Sequence, residues 1–221
     1  MSQRAILFDL DGTLVDSVPD LAAALAIVLA ERGRPPLGIA AVTAMVGDGA
    51  AKLVERAFAA SGEGEAPLGP ALDRFLALYE ANATRLTRLY DGVPEVLGAL
   101  ADAGWRLALC TNKPERATRA VLGALGLASH FAVVLGGDSQ PTRKPDPGPL
   151  LAALDRLGVA PSRAAMVGDH ANDILAARRA GTASIFARYG YGAATLGSLL
   201  PDAAIDRFPQ LFSALGRVFD N

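Results

Sequence analysis

Two aspartates, Asp9 and Asp11, stand two residues apart at the end of the apolar run 5–10. In an extended segment, residues i and i+2 face the same side, so both carboxylates can share one pocket. Two close carboxylates need a cation. Asp169 and Asp173 add further oxygen donors, and no Cys or His cluster accompanies them, so the donor set favours magnesium over zinc. A phosphate monoester would bring more negative charge, for which the metal and Lys144 are counterions. Thr111, with Asn112 beside it, and backbone N–H groups would hold the transferring phosphoryl oxygens, because phosphoryl transfer gains most from positioning and charge stabilisation. Asp9 is the candidate nucleophile, since a carboxylate can attack phosphorus to give an acyl-phosphate that water later hydrolyses. Asp11 would protonate the leaving alcohol and then deprotonate that water. Gly12 permits a sharp turn after the strand, and the Thr13 hydroxyl can fix its geometry.

The elements needed to position these residues are legible in the pattern. The run 5–10 is continuous, apolar and of strand length, which predicts a strand buried on both faces of a parallel sheet. From 17 to about 89, Ala- and Leu-rich segments at helical spacing (18–32, 39–46, 50–60 and 71–86) follow one another with no convincing strand, predicting an all-helical insert. Beyond Asp91-Gly92 the pattern alternates, with helices over 94–103, 115–125, 147–157 and 172–180. Strands fall over 106–111, 132–135, 164–167 and 184–187. This is the βαβ signature of an α/β doubly wound, Rossmann-like core, expected over 1–15 and 90–221, with the helical cap over 16–89. Ligands bind such sheets outside the carboxyl ends of the strands. Asp9 and Asp11, Thr111-Asn112-Lys113, Lys144, and Asp169 with Asp173 all fall at such ends.

Composition narrows the partner. The net charge is -2, with no basic stripe interleaved with aromatics, so neither nucleic acid nor an anionic membrane surface is expected. A small molecule is. The single cysteine, Cys110, leaves no disulfide framework and reads as a core residue in a reducing compartment. The apolar stretch 21–30 is too short to span a bilayer, and acids as early as Asp9 do not read as a secretory leader. The expected location is the cytoplasm, as a monomer or homodimer.

Together, Asp9-Leu10-Asp11-Gly12-Thr13-Leu14-Val15-Asp16-Ser17, Thr111-Asn112-Lys113-Pro114, Lys144-Pro145-Asp146-Pro147 and Gly168-Asp169-His170-Ala171-Asn172-Asp173 resemble the haloacid dehalogenase-like hydrolases, with four motifs in that family's order. The resemblance implies a Rossmann-like core, a helical cap inserted after the first motif, Asp9 as nucleophile and Asp11 as acid and base. It also implies magnesium held by Asp9, the Asp11 backbone carbonyl and Asp169, with Asp173 supporting or joining the shell. Within the family, the chain is most similar to the bacterial phosphoglycolate phosphatases, through Met45-Val46-Gly47-Asp48-Gly49-Ala50, Leu53-Val54-Glu55-Arg56-Ala57, Gly136-Gly137-Asp138 and Tyr189-Gly190-Tyr191. Asp48 stands where those enzymes often carry Asn, and His170 where Ser is common. An acid beside a substrate carboxylate would weaken its binding.

Other readings are weighed on the same residues. Gly47 and Gly49 would let a cap loop close over a small substrate, and Thr13, Asp48, Lys52, Arg56 and Arg188 are candidate substrate contacts. His170 reads as a rim or structural residue. Asp16 and Ser17 read as caps of the following helix, and Thr111-Asn112 can cap the helix after them. A signalling receiver gathers similar residues but needs no helical insert. A carbon–halogen hydrolase needs neither Asp11 nor metal. A phosphosugar mutase uses the same pair of acids, though Thr13 matches the phosphatases. A sugar phosphate, such as an amino-sugar 6-phosphate, is the alternative substrate to 2-phosphoglycolate. A non-enzymatic binding protein is compatible with the fold.

Overall fold

In the computed structural model, which describes residues 3–62 and 68–219, the chain opens with strand β1 (Ala5–Phe8), every residue of which is buried. It turns at Leu10, whose carbonyl accepts from the N–H groups of Thr13, Leu14 and Val15, and enters a two-residue strand, β2 (Val15–Asp16). Four helices follow: α1 (Val18–Ala30), α2 (Ile39–Thr43), α3 (Ala50–Ala60) and α4 (Leu68–Asn82). Each buries one stripe. In α1, Val18, Leu21, Leu25 and Val28 recur at helical spacing; in α4, Ala71, Phe75 and Tyr79 do so at intervals of four. The chain returns through β3 (Arg88–Leu89), which pairs antiparallel with β2.

The remainder alternates: α5 (Val93–Asp102), β4 (Arg106–Cys110), α6 (Glu115–Ala124), β5 (Val133–Leu135), α7 (Gly148–Leu157), β6 (Ala164–Gly168), α8 (Ala171–Ala180), β7 (Ala183–Ala187), β8 (Ala203–Ile205) and α9 (Leu211–Phe219). Six strands form one sheet in the order β5-β4-β1-β6-β7-β8, with every neighbouring pair parallel. This is the expected α/β, doubly wound core. Strand β1 explains why its run is apolar throughout: Ile6 and Phe8 join the core on one face, where Phe8 meets Phe131 and Phe208, while Ala5 and Leu7 join Leu150, Leu154 and Ala177 on the other. The strand order reverses beside β1, placing the crevice where Asp9 emerges.

Three features depart from expectation. No strand is expected between 17 and 89, yet Arg88 and Leu89 pair with Asp16 and Val15; two residues carry too little period to be recognised. Strand β8 and helix α9 are also absent from the sequence reading, the former because it is three residues long. Finally, Ser17 occupies the N-cap position of α1 but makes no side-chain cap bond. Asp20 performs a tie instead: buried in α1, it accepts from Leu86 N–H at 3.0 Å and from the Thr87 N–H and hydroxyl, both at 2.7 Å. Hydrogen bonds to a charged group contribute about 1.5–3 kcal/mol each, enough to hold the returning chain against α1. No helix among the described residues is long and apolar enough to cross a membrane.

Candidate functional site

Asp9 follows β1 directly, and its N–H donates to Val167 O of β6 at 2.9 Å, so the sheet ladder itself sets its position. Two connections of the sheet bring partners to it. Asp169 follows β6, Asp173 lies in the first turn of α8, and Lys144 lies in the loop after β5. One carboxylate oxygen from each of Asp9, Asp169 and Asp173 lies within 4.8 Å of the others, and all three residues are buried. Lys144 Nζ bridges two of them, 2.9 Å from Asp9 Oδ1 and 2.6 Å from Asp173 Oδ1. Asp173 is oriented by His170, whose N–H donates to Asp173 Oδ2 at 3.0 Å, while His170 Nδ1 accepts from Asn172 N–H at 3.2 Å, a reciprocal cap of α8. His170 thus has a structural role, as expected.

Asp169 is placed by the turn after β1 and by the loop after β7. Thr13 donates to its Oδ1 at 3.1 Å, and Tyr191 N–H to its Oδ2 at 2.7 Å. Gly12, at φ +82°, is required: a side chain there would run into the Asp169 carboxylate. Burial, then the Asp9 and Asp173 charges, push the Asp169 carboxyl well above its ordinary range, against the Tyr191 and Thr13 bonds. Asp9 is raised by burial too, with Lys144 opposing and Asp173 adding to the rise. Burial works against the Lys144 charge, but Asp173 and Asp9 more than offset it and hold that ammonium above its usual range. Three buried carboxylates against one ammonium leave the cluster short of positive charge. An all-oxygen, charge-deficient group of this kind fits a hard divalent cation.

Asp11 takes a separate place. Its carboxylate lies outside that triad, held by Lys113 Nζ at 3.0 and 3.1 Å and by the Ser17 hydroxyl at 2.6 Å. This is where Ser17 spends the hydroxyl expected to cap α1. Lys113 follows β4 and is buried, with its ammonium 4.2 Å from the centre of the Tyr79 ring. Burial opposes its charge, yet Asp11 and Tyr79 hold it above the ordinary lysine range. The Thr111 hydroxyl accepts from Lys113 N–H at 3.3 Å. Asn112 does not cap α6; it donates to Lys144 O at 2.9 Å and to Gly47 O at 3.0 Å.

Asp9, Asp11, Thr111, Asn112 and Lys113 form the polar floor of a cavity of about 40 Å³, walled by Leu21, Val46, Leu53, Phe75, Leu76, Tyr79 and Ala117. Gly47 and Gly49 also line it. Gly47, at φ +125°, leaves no room for a side chain against His170. The sequence-predicted contacts divide here. Asp48 turns to Asn172 at 2.7 Å and to an ion pair with Arg56; burial opposes its charge, but these partners hold its carboxyl below the usual range. The feared repulsion of an anionic substrate is thereby neutralised. Lys52 pairs with Glu55, and Arg188 with Asp206, all four exposed; neither cation lines the cavity. Sequence reasoning quoted Lys113 in a motif without assigning it a role, and passed over Tyr79. Only the basic residue between Asn112 and Pro114 signalled the first, and an aromatic at helical spacing is ordinary core, so nothing signalled the second.

A family model described as haloacid dehalogenase-like hydrolase matches residues 3–181. The chain is 47% identical over 219 residues to a phosphoglycolate phosphatase of Rhodospirillum rubrum, covering 96% of this chain and 91% of that one. It is 42% identical over 217 residues to a phosphoglycolate phosphatase of Chromobacterium violaceum, covering 96% of each. A crystal structure from Haemophilus somnus, described as a predicted phosphoglycolate phosphatase, superposes with a TM-score of 0.91 at 34% identity, covering 97% of this chain and 99% of that one.

Proposed function

The chain belongs to the haloacid dehalogenase-like hydrolases, and from that premise we propose that it is a cytoplasmic, magnesium-dependent phosphatase whose substrate is 2-phosphoglycolate, cleaved to glycolate and phosphate. One observation carries the reading: Asp9 belongs both to a buried, charge-deficient acid triad and to the floor of a small cavity, with Asp11 two residues on along the same floor. A carboxylate oxygen of Asp9 attacks phosphorus, the bond to the ester oxygen breaks, and the leaving alcohol takes a proton from Asp11. Asp11 then removes a proton from water, whose oxygen attacks the phosphoryl group, frees phosphate and restores Asp9. Asp9 and Asp169, supported by Asp173, would hold magnesium, which would supply positive charge to the phosphoryl oxygens. Lys144 keeps Asp9 ionised and aimed. The Thr111 hydroxyl, with one lone pair occupied by Lys113 N–H, retains its proton for a phosphoryl oxygen.

Segment 16–89 acts in this reading as the cap, with residues 47–49 closing over the site. A water occupies roughly 10–15 Å³ on the corresponding measure, so 40 Å³ suits a small ester better than a hexose phosphate. The relatives' names point the same way. The test is phosphate release from 2-phosphoglycolate and a set of sugar 6-phosphates, including an amino-sugar 6-phosphate, first with magnesium and then with excess chelator. Magnesium-dependent turnover favouring 2-phosphoglycolate is the expected result. Preference for a sugar phosphate would overturn the substrate, and release from no ester would overturn the reaction.

A further inference from the structure

Among the described residues that line the cavity, Lys113 is the sole cation. Each basic residue that the sequence offered for a substrate carboxylate is engaged elsewhere: Lys52 with Glu55, Arg56 with Asp48, Arg188 with Asp206. An ammonium has three donors, and Asp11 takes contacts at 3.0 and 3.1 Å with its two oxygens, leaving a donor for a further acceptor. Beside it, the Tyr79 hydroxyl is buried without a hydrogen-bond partner, on a residue that lines the same cavity. A buried unpaired hydroxyl is costly in the free protein and is compensated by a ligand that accepts from it. Position completes the argument. Asp11 serves the ester oxygen, and Lys113 lies on Asp11, so the atoms one or two bonds beyond that oxygen fall within reach of Lys113.

We propose that Lys113 and Tyr79 form the carboxylate subsite of this enzyme, and that they select a phosphate ester carrying an anionic group two carbons' reach from the ester oxygen. The proposal rests on the phosphatase reading above and deepens it by assigning the specificity to the loop after β4 and to α4. The Tyr79 ring supports the ammonium through its face, and the cavity's apolar wall offers no second charged partner. A neutral sugar would leave the spare Lys113 donor facing uncharged groups.

The test compares 2-phosphoglycolate with ethyl phosphate, in which a methyl replaces the carboxylate, in wild-type enzyme, Lys113→Met and Tyr79→Phe. Wild type favours 2-phosphoglycolate in kcat/KM. In Lys113→Met both activities fall, because Asp11 loses its partner, but the ratio between the esters falls about a hundredfold, chiefly through KM for 2-phosphoglycolate. Tyr79→Phe keeps the ring and lowers the ratio about tenfold. Turnover of ethyl phosphate by each variant reports that it is folded, and Tyr79→Phe decides the matter should Lys113→Met not fold. Equal losses on both esters, with the ratio preserved, would overturn the subsite and leave the 2-phosphoglycolate reading standing. A wild type without preference between the esters would overturn both.

Discussion

Two buried lysines meet the segment Asp9 to Asp11, each set against a different carboxylate of it. Lys144 sits between Asp9 and Asp173 and does not line the cavity; Lys113 sits on Asp11 and does. Around Lys144 each position is held by a separate restraint: Asp9 by the sheet ladder, Asp173 by the α8 cap, the Lys144 carbonyl by Asn112. Around Lys113 the backbone is tied as well, its carbonyl accepting from Gly137 N–H at 2.8 Å, and its ammonium meets Asp11, which Ser17 at α1's entry also holds, and the Tyr79 ring of α4. The same ion-pair chemistry therefore supports a reactive centre set behind the cavity on one side and a ligand-facing one on the other. Difference in job follows from exposure to the cavity and from what fixes the partners, not from residue type.

The comparison is broken most severely at Asp9. Asp9→Asn preserves shape but removes the nucleophile, so turnover falls by about 10⁴-fold or more while the circular dichroism spectrum is unchanged; measurable turnover near wild type would end the covalent mechanism. Next is Lys144→Met, which leaves Asp9 and Asp173 buried without their shared cation. Loss of one member of a buried pair costs about 3–5 kcal/mol, read from the urea midpoint without magnesium, and a cost within error of zero would mean that Lys144 does not hold Asp9 and Asp173 together. Magnesium binding gives a smaller shift. At about a hundred times its Kd the ion adds roughly 2.7 kcal/mol to stability, seen as a concentration-dependent rise in Tm that Asp169→Asn removes; an equal rise in that variant would remove Asp169 from the ligands. The smallest effect sharpens the ligand-facing side: Arg56→Met frees the Asp48 charge beside the cavity loop, and KM for 2-phosphoglycolate rises about threefold, as suits a half-exposed pair, with kcat held.

Legibility differed in the same way between the two sides. Asp9, Asp169 and Lys144 were readable because each follows a strand of strong apolar pattern, and the strand ends of a parallel sheet share one crevice. Many element ends fell where expected and the others moved by one to four residues; the run read as a strand over 5–10 ends at Phe8, where the chain turns to bring Asp11 round. Lys52 and Arg188 were plausible contacts by charge alone, and charge does not say which way a side chain faces. Tyr79 lay inside an ordinary helical stripe.

From its residues alone, this chain determined a doubly wound sheet, a run of helices between the first strand and the rest, and a set of acids with one lysine at the strand ends, because local periodicity and strand polarity are short-range properties. Tertiary structure decided which acids form the triad and that Asp11 stands apart with Lys113. It also turned Asp48 away to Arg56, and put Tyr79 of α4 beside a lysine 34 positions later. Those outcomes depend on how helices pack across the sheet's edge, and packing is settled by contacts between residues far apart in the chain.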